Sequence, residues 1–237
     1  MSEHQYRDQS VSFRLRQILS YFYPIVLHKR PGVLSSSLEV TLENGCLVLN
    51  SASANYSFGH LHTVFENAFQ KYRLENRRPD NALLLGLGGG SVSDILLNDY
   101  ELDIPIKAIE YDGEIISLYE RFFKDDPGGN IEVIHAEAYD YILESSEKFA
   151  LIVIDLFIDT ETPSRFSGER FVFKACSLLK PGGILLINRI GQTPIAVEEK
   201  KRILNLMNTL PGKTSETEIA LGGMSNYILT YENLKEK

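Results

Sequence analysis

A doubly wound α/β domain is predicted for this chain by three observations. From Asn81 onward, short apolar runs alternate with helical patterns. The first run leads straight into Gly86-Leu87-Gly88-Gly89-Gly90-Ser91, and the runs, Leu151-Ile152-Val153-Ile154 above all, are too continuously apolar to have a solvent face. Strands covered on both faces read this way, and helices between them enforce parallel pairing with a ligand crevice at the carboxyl ends.

In chain order the expected strands are Ala82–Leu87, Ile106–Asp112, Ile131–Glu137, Ala150–Leu156 and Gly183–Asn188, with helices around 92–99, 113–123, 138–145, 168–179 and 195–209. The end of the chain breaks the rhythm. Glu216–Leu221 and Ser225–Tyr231 flank Gly222-Gly223 with no room for a crossover helix, so they must pair antiparallel and bring the count to seven strands. Nearer the start, Leu38, Val40 and Leu42 alternate with Glu39, Thr41 and Glu43 before Asn44-Gly45 and Cys46-Leu47-Val48-Leu49. Asn-Gly tolerates the positive φ of a tight turn, which makes this a β-hairpin. Leu61, Val64, Phe65, Ala68 and Phe69 share one face of a helix, whereas Phe13, Leu15, Ile18, Leu19 and Phe22, before Pro24, show no decisive period. Arg77-Arg78-Pro79-Asp80 interrupts helix and favours a turn, dividing an N-terminal extension (1–78) from the main domain (79–237).

Composition narrows the function classes. A chain of 237 residues, 43% apolar, buries enough surface to fold without staples. Cys46 and Cys176 are the only cysteines and lack metal-ligand spacing, which argues against a zinc site or a disulfide scaffold. A net charge of −8 disfavours nonspecific nucleic-acid binding. No apolar run suggests a membrane span, and the polar opening MSEHQYRDQS is unlike a signal peptide, so a soluble, cytoplasmic protein is expected.

The glycine turn lets the backbone approach a ligand closely, and the helix after it offers free N–H groups to an anion. Glu110, at the end of the second main-domain strand, can accept hydrogen bonds from both hydroxyls of a ribose, while Asp112 suits a helix cap. Loop and acid together indicate an adenosine-containing ligand without separating a nicotinamide cofactor from S-adenosylmethionine. Two features separate them: Ser91 stands where a dinucleotide fingerprint wants Gly or Ala, and the terminal antiparallel hairpin is foreign to that fold. Asp155 follows four aliphatic residues and precedes Leu156-Phe157, a core-edge carboxylate that needs a partner or a task, such as accepting a proton from an attacking amine.

The ordered set Gly86-Leu-Gly-Gly-Gly-Ser91, Ile109-Glu-Tyr-Asp112, His135-Ala-Glu-Ala138, Val153-Ile-Asp155 and Leu179-Lys-Pro-Gly-Gly183 resembles the class I S-adenosylmethionine-dependent methyltransferase fold, and within it the spermidine synthase-like branch. The resemblance covers about residues 35–235, N-terminal hairpin included. It implies a seven-stranded Rossmann-like methyltransferase fold with an antiparallel last strand, in which Gly86, Gly88, Gly89 and Gly90 border the amino-acid end of the cofactor. It further implies that Glu110 holds the ribose, Glu137 the adenine amino group, that Tyr111 and Ala138 flank the ring, and that Asp155 faces the reacting centre.

Substrate-facing positions depart from the aminopropyltransferase pattern. Gly89 stands where spermidine synthases place an Asp on the cofactor's aminopropyl end, Asp155-Leu-Phe-Ile158 replaces Asp-Ser-Ser-Asp, and Ser57-Phe58-Gly59 replaces Ser-Tyr-Gln. On that ground methyl transfer from S-adenosylmethionine to a small-molecule acceptor is the first expectation. Aminopropyl transfer from decarboxylated S-adenosylmethionine, as in polyamine biosynthesis, and a non-catalytic binding module are the alternatives. Tyr56, His60 and Asp159 are candidate substrate contacts, Arg165 in the same gate loop suits a carboxylate, and His60 with His62 lacks a third metal ligand. A homodimer is expected because the hairpin leaves strand edges that need cover.

Overall fold

The computed structural model describes residues 11–51, 60–124, 128–157, 162–191, 193–221 and 224–234. Helix α1 (Val11–Leu19) precedes a small antiparallel sheet of β1 (Ile25–Arg30), β2 (Leu38–Glu43) and β3 (Cys46–Ser51). The Asn-Gly hairpin forms as expected: Glu43 faces Cys46 in register, and Asn44 (φ 48°) and Gly45 (φ 81°) both take positive φ. Strand β1 was not legible. It is a half-exposed edge strand with irregular burial and a register break between Val26 and His28, so its sequence carries no clean alternation. The end of α1 secures the hairpin turn, with Gly45 N–H donating to Ser20 Oγ at 2.9 Å and Gln17 Nε2 to the Gly45 carbonyl at 3.0 Å.

Helix α2 (His60–Lys71) and the short α3 (Leu74–Arg77) lead into the large sheet. Its elements are β4 (Ala82–Leu85), α4 (Ser91–Asp94), β5 (Ile106–Glu110), α5 (Gly113–Leu118), β6 (Ile131–His135), α6 (Ala138–Glu144), β7 (Phe149–Ile154), α7 (Glu169–Ser177), β8 (Leu179–Ile190), α8 (Pro194–Asn208), β9 (Lys213–Leu221) and β10 (Met224–Glu232). Wider π turns, Ile95–Asp99 and Tyr119–Phe123, prolong α4 and α5. The strand order is β6-β5-β4-β7-β8-β10-β9. Strands β4 to β8 pair in parallel, and β10 runs antiparallel to both β8 and β9. This is the expected doubly wound arrangement, with the chain's last strand inserted one place in from the edge. The turn residues Gly222 and Gly223 lie outside the described residues.

Two corrections concern strand ends. Strands β4, β5, β6 and β7 each stop two residues short of the expectation, at Leu85, Glu110, His135 and Ile154; in β4 the cause is Gly86, which turns away at φ 92°. Strand β8 begins at Leu179, so the Lys-Pro-Gly-Gly stretch lies inside it as a bulge: Phe149 pairs with Leu179, yet Leu151 pairs with Ile184.

Alternate residues of β4 feed two apolar layers. Ala82 and Leu84 join α2, α4 and α5, while Leu83 and Leu85 join α6, α7 and α8. The first layer continues without a break into Leu38, Val40 and Leu49 of the small sheet. Fully burying each such side chain contributes about 1.5–3 kcal/mol, and this shared layer seats the small sheet beside the carboxyl ends of β4 and β5. The segment between the two sheets is tied at both ends, Arg77 to Glu232 through a two-fold hydrogen bond (3.0 and 2.9 Å) and Asp80 to Lys180 (2.7 Å).

Candidate functional site

At the carboxyl ends of β4, β5 and β7 lies a cleft of about 260 Å³. Gly86 extends the ladder through its N–H to the Ile109 carbonyl (2.9 Å) and then turns. A Cβ there would sit 2.2 Å from the backbone oxygen of Asp155, so only glycine lets β4 and β7 meet at the cleft floor. Gly86 and Gly88 (φ 53°) line the cleft. Gly89 and Gly90 do not. Gly90 stands at the N-cap of α4, and a Cβ on it would lie 2.5 Å from the Tyr119 ring, so packing by itself calls for glycine there.

Glu110 borders the cleft but is bound inward. Its Oε2 accepts from the N–H of Leu87 (3.1 Å) and Gly88 (3.5 Å), and its Oε1 from Tyr111 (2.9 Å) and Asp112 (3.0 Å). A carboxylate has about four acceptor positions, so this one clamps the glycine turn to the end of β5 with its own capacity filled. Burial raises its pKa, and the four N–H donors oppose that rise.

Asp112 caps α5 through Glu114 N–H (2.9 Å), as expected, and does something the sequence did not disclose. Its Oδ2 accepts from Val33 N–H (2.6 Å) and Leu34 N–H (3.4 Å), drawing the β1–β2 loop across the cleft. Gly32 is needed there, because a Cβ would fall 2.6 Å from that oxygen. Leu34 and Ser35 thereby become cleft walls, together with Leu61 of α2.

Tyr111, Glu137 and Ala138 line the next stretch. Glu137 caps α6, its Oε2 accepting from Tyr139 N–H (2.8 Å) and Asp140 N–H (3.2 Å), while its Oε1 meets Arg165 Nη2 at 2.7 Å. Arg165 and Pro163 come from the expected gate loop and form the facing wall.

Asp155 closes the cleft at the end of β7. Its Oδ1 accepts from Asn188 Nδ2 (2.9 Å), and Oδ2 accepts no hydrogen bond among the described residues. Desolvation pushes its pKa up to about 6, against the opposing Asn188 bond and the nearby Arg189 charge. Arg189 is 3% exposed. It donates to the carbonyls of Phe166 (3.3 Å) and Asn188 (3.3 Å) and to Thr162 Oγ1 (3.4 Å), and burial pulls its pKa down to about 10. Asn188 Oδ1 and Arg189 Nε are buried with no partner among the described residues. Neither residue was anticipated, although two adjacent polar residues in the apolar run of β8 were a visible signal.

Tyr56 and Asp159 lie outside the described residues, as do Ser57, Phe58, Gly59 and Ile158 and the side chain of His60. His62 Nε2 lies 3.3 Å from Asp99 Oδ2. Among the described residues no helix is long and apolar enough to cross a membrane.

No family model matches the chain. Among curated proteins it is similar to a polyamine aminopropyltransferase of Vibrio vulnificus, 30% identical over 52% of this chain and 42% of that one. A second, from Thermoplasma volcanium, is 31% identical over 48% of this chain and 43% of that one. The matches thus span less than half the length of these relatives. Among solved structures, a spermidine synthase in complex with the transition-state analogue AdoDATO superposes with TM-score 0.69 at 15% identity, over 90% of this chain and 75% of that one. Human methyltransferase-like protein 13 in complex with SAH superposes with TM-score 0.60 at 22% identity, over 76% and 84%. At these identities the superpositions establish the fold. The likeness to the spermidine synthase-like branch of the methyltransferase superfamily, expected from the ordered motifs, is borne out.

Proposed function

We propose that the cleft holds an adenosyl sulfonium and that the chain is a transferase moving an aminopropyl group from decarboxylated S-adenosylmethionine to a small amine. The observation that carries it is Asp155, which lines a glycine-floored cleft and is held by Asn188 through Oδ1, while Oδ2 accepts no hydrogen bond among the described residues. The names of the curated relatives favour aminopropyl transfer over the methyl transfer expected first.

The residues fit the nucleoside. Gly86 and Gly88 leave the floor free of side chains, and Tyr111 and Ala138 offer flat and small surfaces for a base. Glu110 stands where ribose hydroxyls would reach it, and the 3.5 Å Gly88 bond is the longest of its four and the easiest to exchange. When bound, the sulfonium supplies an activated carbon and a neutral thioether leaving group. Asp155 supplies the proton acceptor: as the amine nitrogen bonds to that carbon and the C–S electron pair returns to sulfur, Oδ2 takes the proton the nitrogen releases. A carboxylate with a pKa of about 6 is a better acceptor than an ordinary aspartate and still ionised at neutral pH. Asn188 and the Gly86 turn fix its position, which is the alignment such a reaction needs.

One observation supports methyl transfer instead. Residue 89 is glycine, and the cleft acids Glu110, Asp112 and Glu137 are engaged with main-chain donors, leaving Asp155 as the open carboxylate among the described lining residues. Titration calorimetry with both cofactor forms separates the two readings. Tighter binding of the decarboxylated form supports aminopropyl transfer; clear preference for intact S-adenosylmethionine overturns it.

Exposed Tyr21, Phe22 and Tyr23, with the outer edge of β1, which pairs with no further strand among the described residues, support a second copy of the chain covering the small sheet. A monomeric mass by sedimentation at micromolar concentration would rule that out.

A further inference from the structure

On the footing that the cleft holds an adenosyl group, we propose that Arg165 determines which base it accepts, by holding Glu137 so that a single acceptor position is left for an exocyclic amine. Oε2 of Glu137 is filled by the N–H groups of Tyr139 and Asp140, and Oε1 receives Arg165 Nη2 at 2.7 Å. Of about four acceptor positions, one remains, on Oε1 of a residue that borders the cleft. An ionised carboxylate only accepts. That position therefore suits the amino group at purine position 6 and repels a carbonyl oxygen placed there.

The guanidinium is itself held. It lies 4.9 Å from the Phe166 ring centroid and 5.9 Å from that of Tyr139. Those two rings pack on Phe171, at 5.2 and 5.8 Å, so an aromatic platform of buried Phe166 and Phe171 with half-buried Tyr139 braces the arginine. A planar fork so braced fixes the direction in which Oε1 points, which a mobile ammonium does less well. Arg165 stands in the Ser164–Ser167 turn at the end of the gate loop, and its side chain is 52% exposed. Removing it buries no unpaired cation, so the fold should survive the test.

Titration calorimetry with 5′-methylthioadenosine and 5′-methylthioinosine decides the matter. The two differ at purine position 6, and they report on base choice whichever group the enzyme transfers. Wild type should bind the adenine form about tenfold tighter or better, the scale of one hydrogen bond to a charged group. Arg165→Met should bring the ratio to within about threefold, chiefly by weakening the adenine form, and Arg165→Lys should restore part of it. A purely structural ion pair would change the melting temperature and leave the ratio alone. An unchanged ratio in Arg165→Met overturns the proposal. Equal binding of both nucleosides by wild type overturns it while the nucleoside cleft stands, and binding of neither removes both.

Discussion

The two ends of the cleft are built on opposite principles. At the end proposed to hold the nucleoside, Glu110, Asp112 and Glu137 are each engaged by main-chain N–H groups, so three acids work as structural clamps. At the end proposed to react, Asp155 Oδ2 accepts no hydrogen bond, and Asn188 Oδ1 and Arg189 Nε are buried without partners, among the described residues. Satisfied buried groups stabilise and preorganise; unsatisfied ones cost free energy and persist where chemistry needs them. On the proposed function, one end holds still and the other exchanges a proton.

Asp155→Asn is the sharpest way to break that contrast. Turnover should fall by roughly 10²–10⁴-fold while nucleoside binding by calorimetry is retained. Stability should move the other way. The folded pKa of about 6 lies above the ordinary value of 3.8, so the native state binds the extra proton between those values and the ionised carboxylate is a cost above them. The variant should therefore melt higher than wild type at pH 8, by more than at pH 5. A variant that melts lower at pH 8 would place Asp155 among the clamps instead.

Gly86→Ala tests the floor common to both ends. A φ of 92° and a Cβ 2.2 Å from a backbone oxygen should cost roughly 3–5 kcal/mol, read as a lost or strongly lowered unfolding midpoint in urea. Glu110→Gln replaces one accepting oxygen by a donor facing two N–H groups and should cost about 2–4 kcal/mol on the same assay. A neutral result would mean that the clamp is not a source of stability. Asp112→Ala removes the α5 cap and frees the loop carrying Leu34, for about 1–2 kcal/mol and faster amide exchange at Val33 and Leu34. The smallest effect belongs to Asn188→Ala. It deletes the bond that lowers the Asp155 pKa, so the acid limb of the rate profile should shift to higher pH with the fold retained.

Clamp and reacting group differ also in how far the chain's letters disclose them. Helix caps and strand ends follow local rules, so Asp112 and Asp155 could be placed at the edge of the crevice from spacing alone. Arg165 as the partner of Glu137 could not, because 28 residues separate them and nothing local links the two. Gly90 has a requirement that spacing does not show: a Cβ there would meet the Tyr119 ring, and a glycine that admits a ligand and one that admits a tyrosine ring look the same in a sequence. Strand β1 stayed hidden because an edge strand need not alternate.

Periodicity and turn chemistry, which depend on neighbours along the chain, were enough to specify the alternation of strands and helices, the Asn-Gly hairpin, the glycine turn and the antiparallel finish. Only packing decided which acids are spent on main-chain donors and which one faces the cleft, that Asn188 and Arg189 stand behind Asp155, and that the β1–β2 loop walls the pocket. Hydrogen-bond capacity is shared among groups far apart in the chain, and its allocation exists only once the fold brings them together.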